Sequence, residues 1–144
     1  MTRINRSALV NHSAERMFEL VNDIESYPLF MQGCTAARII ESNEQQLIGE
    51  LTLTKAGINQ TLTTRNTLVY GREMKMELIK GFFNSFSATW RFDPISEGAC
   101  KVSLEMEFEF ASGIMDFAMG KLFSSSANNL VDSLVKRAQQ VYGT

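Results

Sequence analysis

The feature that most constrains the fold is a change of hydrophobic period. From residue 35 to residue 110 apolar side chains recur at every second position, whereas after Ser112-Gly113 they recur with helical spacing as far as Tyr142, without a proline. The second stretch predicts a helix of roughly 30 residues, about 45 Å long at 1.5 Å per residue. Phe123, Ala127, Leu130, Val131, Leu134, Ala138 and Val141 make one stripe along it, and Asn129, Asp132, Lys136 and Gln140 lie opposite. Ile114, Met115, Ala118, Met119 and Leu122 point to a different side, with Gly120 between the two halves. The expectation is a bend or a change of neighbour near Gly120.

The period-two region predicts about six antiparallel strands. Leu47, Gly49, Leu51 and Leu53 alternate with Ile48, Glu50, Thr52 and Thr54, and Met74, Met76 and Leu78 alternate with Lys75, Glu77 and Ile79. Phe86, Ala88, Trp90 and Phe92, then Val102, Leu104, Met106, Phe108 and Phe110, flank a turn through Pro94 to Gly98 and predict a hairpin. The other face of its second strand carries Lys101, Ser103, Glu105, Glu107 and Glu109, so the sheet is expected to be covered on one side only.

Ahead of this region, Thr2 to Val10 is compatible with a strand, and Asn11-His12-Ser13 reads as a turn with Ser13 as helix N-cap. Met17, Leu20, Val21 and Ile24 then share a helix face, Tyr27-Pro28 interrupts it, and Leu29, Phe30 and Met31 are expected to start a second helical turn ended by Gly33. The expected architecture is α+β: a curved antiparallel sheet of six to seven strands wrapped around a long C-terminal helix, with short helices after the first strand. A cavity forms between sheet and helix where the facing side chains do not fill the space.

With 144 residues the chain has room for one domain, spanning residues 1–144, and needs no disulfide or structural metal. Fourteen Lys and Arg against 16 Asp and Glu give a net charge of −2, which argues against non-specific coating of DNA or RNA. Cys34 and Cys100 form no metal-binding spacing and suit a reducing, cytoplasmic setting. The N-terminal segment lacks the apolar run of a signal peptide, and no transmembrane segment is expected.

Catalytic chemistry has little to stand on. The one histidine, His12, has no paired nucleophile in the pattern, and the carboxylates fall on wet strand faces, turns and polar helix sides. Metalloprotease, dinucleotide, P-loop and nucleophile-elbow motifs are absent, so a non-enzymatic binding protein is expected, with no metal and no required cofactor. The inward positions Met74, Met76, Phe86, Trp90, Phe92, Met106, Phe108 and Phe110 read equally as plain core or as the wall of a cavity for an apolar ligand. Thr64 and Asn66 share parity with Ile58, Leu62, Leu68 and Tyr70, so either a bulge shifts the register or two polar groups enter the interior. Phe30, Met31, Phe82, Phe83, Ile114, Met115, Met119 and Leu122 are candidates for an entrance or partner-facing patch.

Several blocks carry a resemblance over nearly the whole chain: Asn5-Arg6-Ser7-Ala8-Leu9-Val10, Leu20-Val21-Asn22-Asp23-Ile24 with Tyr27-Pro28-Leu29-Phe30, Gly33-Cys34, Lys55-Ala56-Gly57-Ile58, Thr63-Thr64-Arg65-Asn66, Trp90-Arg91-Phe92, Phe108-Glu109-Phe110 and Lys136-Arg137-Ala138. They resemble the START-like (polyketide-cyclase-like, SRPBCC) superfamily with its helix-grip fold. Within it they resemble the bacterial ribosome-association toxins and their mitochondrial coenzyme-Q-binding relatives. Met31-Gln32-Gly33-Cys34 and Gly81-Phe82-Phe83 depart from the family, which commonly has a proline in each segment. The resemblance implies binding to the large ribosomal subunit and a block of subunit association, with an antitoxin protein as a further partner. Its alternative implication is an apolar interior that holds ubiquinone or another prenylated lipid. Ribosome-contact candidates are Arg3, Arg6, Arg65, Lys136 and Arg137.

Overall fold

The computed structural model describes residues 2–55, 57–111 and 117–143. Its elements are β1 (Thr2–Val10), α1 (Ala14–Asn22), a 3-10 helix (Ile24–Leu29), β2 (Cys34–Ser42), β3 (Gln46–Lys55), β4 (Ile58–Val69), β5 (Glu73–Lys80), β6 (Phe83–Ser96), β7 (Ala99–Phe110) and α2 (Phe117–Tyr142). The strands form one antiparallel sheet in the order β1-β7-β6-β5-β4-β3-β2. Strands β2 to β7 are thus a meander of consecutive hairpins, and β1 returns to the far edge, where Thr2 pairs with Phe108 and Val10 with Cys100.

Alternation sets the two faces. In the β6–β7 register Phe86 lies opposite Phe108, Trp90 opposite Leu104 and Phe92 opposite Val102, all buried, while Arg91, Glu105 and Glu107 point the other way. Helices α1 and α2 pack on the apolar face, and the other is open to water. Register shifts at Cys34/Ala36, Ile39/Glu41 and Thr63/Thr64 mark bulges, which bend strands and increase their twist. The β6–β7 turn is tighter than expected: Glu97-Gly98 form it, and the strands run on past Pro94 because a register shift between Pro94 and Ser96 absorbs the proline.

Ser13 caps α1 as expected, its Oγ accepting from the Arg16 N–H at 3.1 Å. Pro28 does not break the chain into two turns; it lies inside the 3-10 helix, which begins at Ile24 and closes with the Phe30 N–H on the Tyr27 carbonyl. Glu25 of this helix reaches the edge strand β2, its Oε2 accepting from the Ile39 N–H at 3.3 Å.

In α2 the stripe Phe123, Ala127, Leu130, Val131, Leu134 and Ala138 is buried as expected. Val141 is exposed instead; the last turn anchors through Tyr142, whose OH donates to the Arg16 carbonyl at 3.2 Å and whose ring lies 5.7 Å from that of His12. The second stripe is also corrected. Met119 and Leu122 are buried in the same core rather than turned to a partner, and Leu122 packs against Gly33. Ile114 and Met115 lie outside the described residues.

Candidate functional site

Where α2 crosses the sheet, the side chains leave a small apolar cavity lined by Tyr27, Met31, Leu51, Leu53, Leu62, Met76, Phe86, Trp90, Met106, Phe123, Ala127 and Leu130. Its volume is about 30 Å³. A second space of about 20 Å³ shares Tyr27, Leu51, Leu62 and Met76 and continues to Ile24, Gly49, Thr64 and Asn66. Together they make a narrow apolar slot with one polar end. At roughly 10–15 Å³ for one water, the two spaces have room for a few solvent molecules.

The polar end arises from β4. Thr64 and Asn66 are both buried and face inward, and a register shift sits beside them at Thr63/Thr64, so both readings of this strand hold together. The Thr64 hydroxyl donates to Asn66 Oδ1 at 2.8 Å, while Asn66 Nδ2, fully buried, has no hydrogen-bond partner among the described residues. An unpaired buried donor costs about 1–3 kcal/mol. This site therefore offers an amide N–H to any acceptor that reaches it. Tyr27, on the walls of both spaces, donates its OH to the Val21 carbonyl, and burial pushes its phenol well above the usual range, so it stays protonated.

Of the inward side chains singled out by alternation, Met76, Phe86, Trp90 and Met106 line the apolar space and Thr64 and Asn66 the polar end. Met74, Phe92 and Phe108 line neither; they are buried core, filled in by their neighbours. Phe110 is half-buried and joins Phe82, Phe83 and Phe123 in an aromatic cluster, with Phe83 and Phe123 centroids 4.9 Å apart. Phe82 and Phe83 are thus core residues rather than an open entrance. Among the other entrance candidates, Met31 lines the cavity and Phe30 lies under the Arg137 guanidinium, 5.9 Å from its ring centroid. Tyr27 and the helix residues Phe123, Ala127 and Leu130 complete the wall; the α2 stripe marked the last three as inward without showing that space remains beside them.

Among the described residues no carboxylate, histidine or cysteine lines either space. Both thiols are free, buried and pushed up by burial to about 11, which keeps them protonated and poorly nucleophilic at neutral pH. Among the described residues no group of His, Cys, Asp or Glu is placed to hold a metal ion. No helix among them is long and apolar enough to cross a membrane.

On the surface, Arg3 pairs with Glu107 at 3.0 Å, and Arg65 borders an open polar cleft with Glu41, Asn43, Gln46 and Ile48. Arg6 Nη2 donates to Asn128 Oδ1 at 2.9 Å, linking β1 to α2. Lys136 is exposed, and Arg137 is half-buried, its Nε without a hydrogen-bond partner among the described residues.

A seven-stranded sheet gripping a C-terminal helix over an apolar slot defines a helix-grip protein, and comparison agrees. The family described as "Polyketide cyclase / dehydrase and lipid transport" matches residues 10–135, and the chain belongs to it. The aromatase/cyclase Zhui from a Streptomyces species has the same fold, with a TM-score of 0.82 at 14% identity over 96% of this chain and 94% of that one. Within the family the chain falls among the RatA proteins: it is 43% identical to "Ribosome association toxin RatA" of Vibrio cholerae over 99% of both chains. It is also 42% identical to "Persistence and stress-resistance toxin PasT" of Escherichia coli, over 99% of this chain and 90% of that one. A mitochondrial coenzyme Q-binding protein of Xenopus laevis is more distant, at 21% identity over 96% of this chain and 59% of its own length.

Proposed function

We propose that this protein binds the large ribosomal subunit in the cytoplasm and, by occupying it, keeps the small subunit from joining. The observation that carries the reading is 43% identity to a ribosome association toxin across 99% of both chains, with no insertion large enough to change the fold. Two features of the site support it. The space between sheet and helix is small, about 30 Å³, and no carboxylate or histidine among the described residues lines it, which fits a protein that binds through its outer surface. An antitoxin protein that masks the same surface fits this reading. Sucrose-gradient profiles after overproduction test it: free subunits accumulate at the expense of assembled ribosomes, with the protein in the large-subunit fractions. An unchanged ratio with folded protein in the lysate refutes it.

A second reading has one specific observation in its favour. The unpaired Asn66 Nδ2 at the end of a Met- and aromatic-lined slot suits the carbonyl oxygen of a ubiquinone-like lipid, provided the walls move apart to admit its ring. Trp90 lines the slot and is the single tryptophan, so its fluorescence responds saturably to quinone if this reading holds. A flat titration with soluble quinone excludes it.

A further inference from the structure

The proposed ribosome-binding role requires a face that attracts a phosphate backbone, and a net charge of −2 means that the face is local. The water-facing side of the sheet does not supply it. Seven basic residues project there, and each stands beside a carboxylate. Arg3 pairs with Glu107, Arg38 with Glu50 at 3.0 Å, and Arg91 with Glu73 and Glu105. Arg65 lies across from Glu77 and Lys101 across from Asp93 in the strand register. Lys75 is flanked on its own face by Glu73 and Glu77, and Lys80 acts electrostatically on Glu50. A polyanion docking on this side would have to break these pairs or sit against their acids.

The exposed side of α2 is different. Lys121 and Lys136 are exposed there, and Arg6 joins them through its bond to Asn128. None of the three is in an ion pair among the described residues, and Asp132 is the one carboxylate in the described part of the helix. Lys121, Asn128 and Lys136 project within about a quarter turn of one another, and the two lysines are about 22 Å apart along the axis. Between and around them stand Ser124, Ser125, Asn129, Gln139 and Gln140, neutral groups that hydrogen-bond to phosphates and 2′-hydroxyls.

We infer that the outer side of α2, with Arg6 beside it, is the surface on which this protein docks to the sugar–phosphate backbone of ribosomal RNA. The inference rests on the ribosome-binding reading and adds the face to it. The test measures binding to purified large ribosomal subunits by co-sedimentation between about 50 and 200 mM monovalent salt. Four proteins are compared: the unaltered chain, Arg6→Gln/Lys121→Gln/Lys136→Gln on the helix, Lys75→Gln/Lys80→Gln/Lys101→Gln on the sheet, and Asp132→Asn, each checked for an unchanged melting temperature. The helix variant is expected to raise Kd by on the order of tenfold or more near 100 mM salt. It also flattens the slope of log Kd against log salt by roughly two to three, about one per lost phosphate contact. The sheet variant binds as the unaltered chain does, and Asp132→Asn binds more tightly. A helix variant that binds normally, a sheet variant that loses as much, or Asp132→Asn that binds more weakly overturns the inference while ribosome binding stands. Failure of the unaltered chain to co-sediment overturns the ribosome reading itself.

Discussion

Gly33 connects the loop before β2 to α2, and replacing it tests how tightly that junction is packed. Its φ is +79°, and a Cβ built there would stand 2.8 Å from both Cδ atoms of Leu122, itself buried. Gly33→Ala therefore carries two costs: a left-handed backbone penalty of about 1–2 kcal/mol, and overpacking of about 1–3 kcal/mol as Leu122 is pushed off its rotamer. Leu122→Ala alone is expected to cost about 2–5 kcal/mol through the void it leaves. In the double variant the clash disappears and the new methyl fills part of the void, so only the backbone penalty is added. The double should then be more stable than the sum of the singles by about 1–3 kcal/mol, well beyond the roughly 0.5 kcal/mol scatter of independent sites. Urea melts followed through the buried Trp90 read this directly. Additive costs, or a neutral Gly33→Ala, would show that the loop moves away from α2 in solution and that the junction is not packed as described.

Two further outcomes follow from buried polar groups. Thr64→Val/Asn66→Leu removes an unpaired amide together with its one hydroxyl partner; thermal melts should show a gain of about 1–2 kcal/mol, roughly 3–6 °C, and a loss of stability would mean that Asn66 Nδ2 is paired in solution. Cys34 and Cys100 are raised from an ordinary 9.0 to about 11, so the folded state holds their protons more tightly than the unfolded chain. Their contribution to stability is complete below about pH 9 and is lost as pH rises toward 11. Cys34→Ala/Cys100→Ala should flatten that part of the stability profile, and an unchanged slope would argue that other groups set it.

The most legible elements each carried a single strong signal. The β6–β7 hairpin showed clean alternation, α1 had Ser13 at its cap, and α2 had a continuous stripe. Signals failed where a neighbour overrode them. Pro28 removes one i→i−3 bond from the 3-10 helix but did not end it, because the Phe30 and Met31 N–H groups still close the turn on the Tyr27 carbonyl. Val141 follows the stripe but is exposed in the last turn, and Met119 and Leu122 depart from the stripe but are buried, Leu122 against Gly33. The site was legible only in part. Periodicity reports which side chains point inward, but it does not report whether their neighbours fill the space between them. It therefore grouped Met74, Phe92 and Phe108 with Met76 and Met106, although only the latter pair borders a cavity.

The placement of β1 at the edge beyond β7 bears on how the chain is born. Every other strand pairs with the one made just before or after it, so hairpins from β2 to β7 can close in sequence as the chain emerges. β1, made before the other six, has its partner only once Cys100 to Phe108 exist, and the bond from Arg6 to Asn128 comes later still. From then until β1 docks, β7 presents an unpaired edge backed by Phe108 and Met106, the kind of template that recruits strands from other chains. Return of β1 to this edge and arrival of α2 over it are thus the non-local steps that separate a finished molecule from an aggregation-prone nascent one.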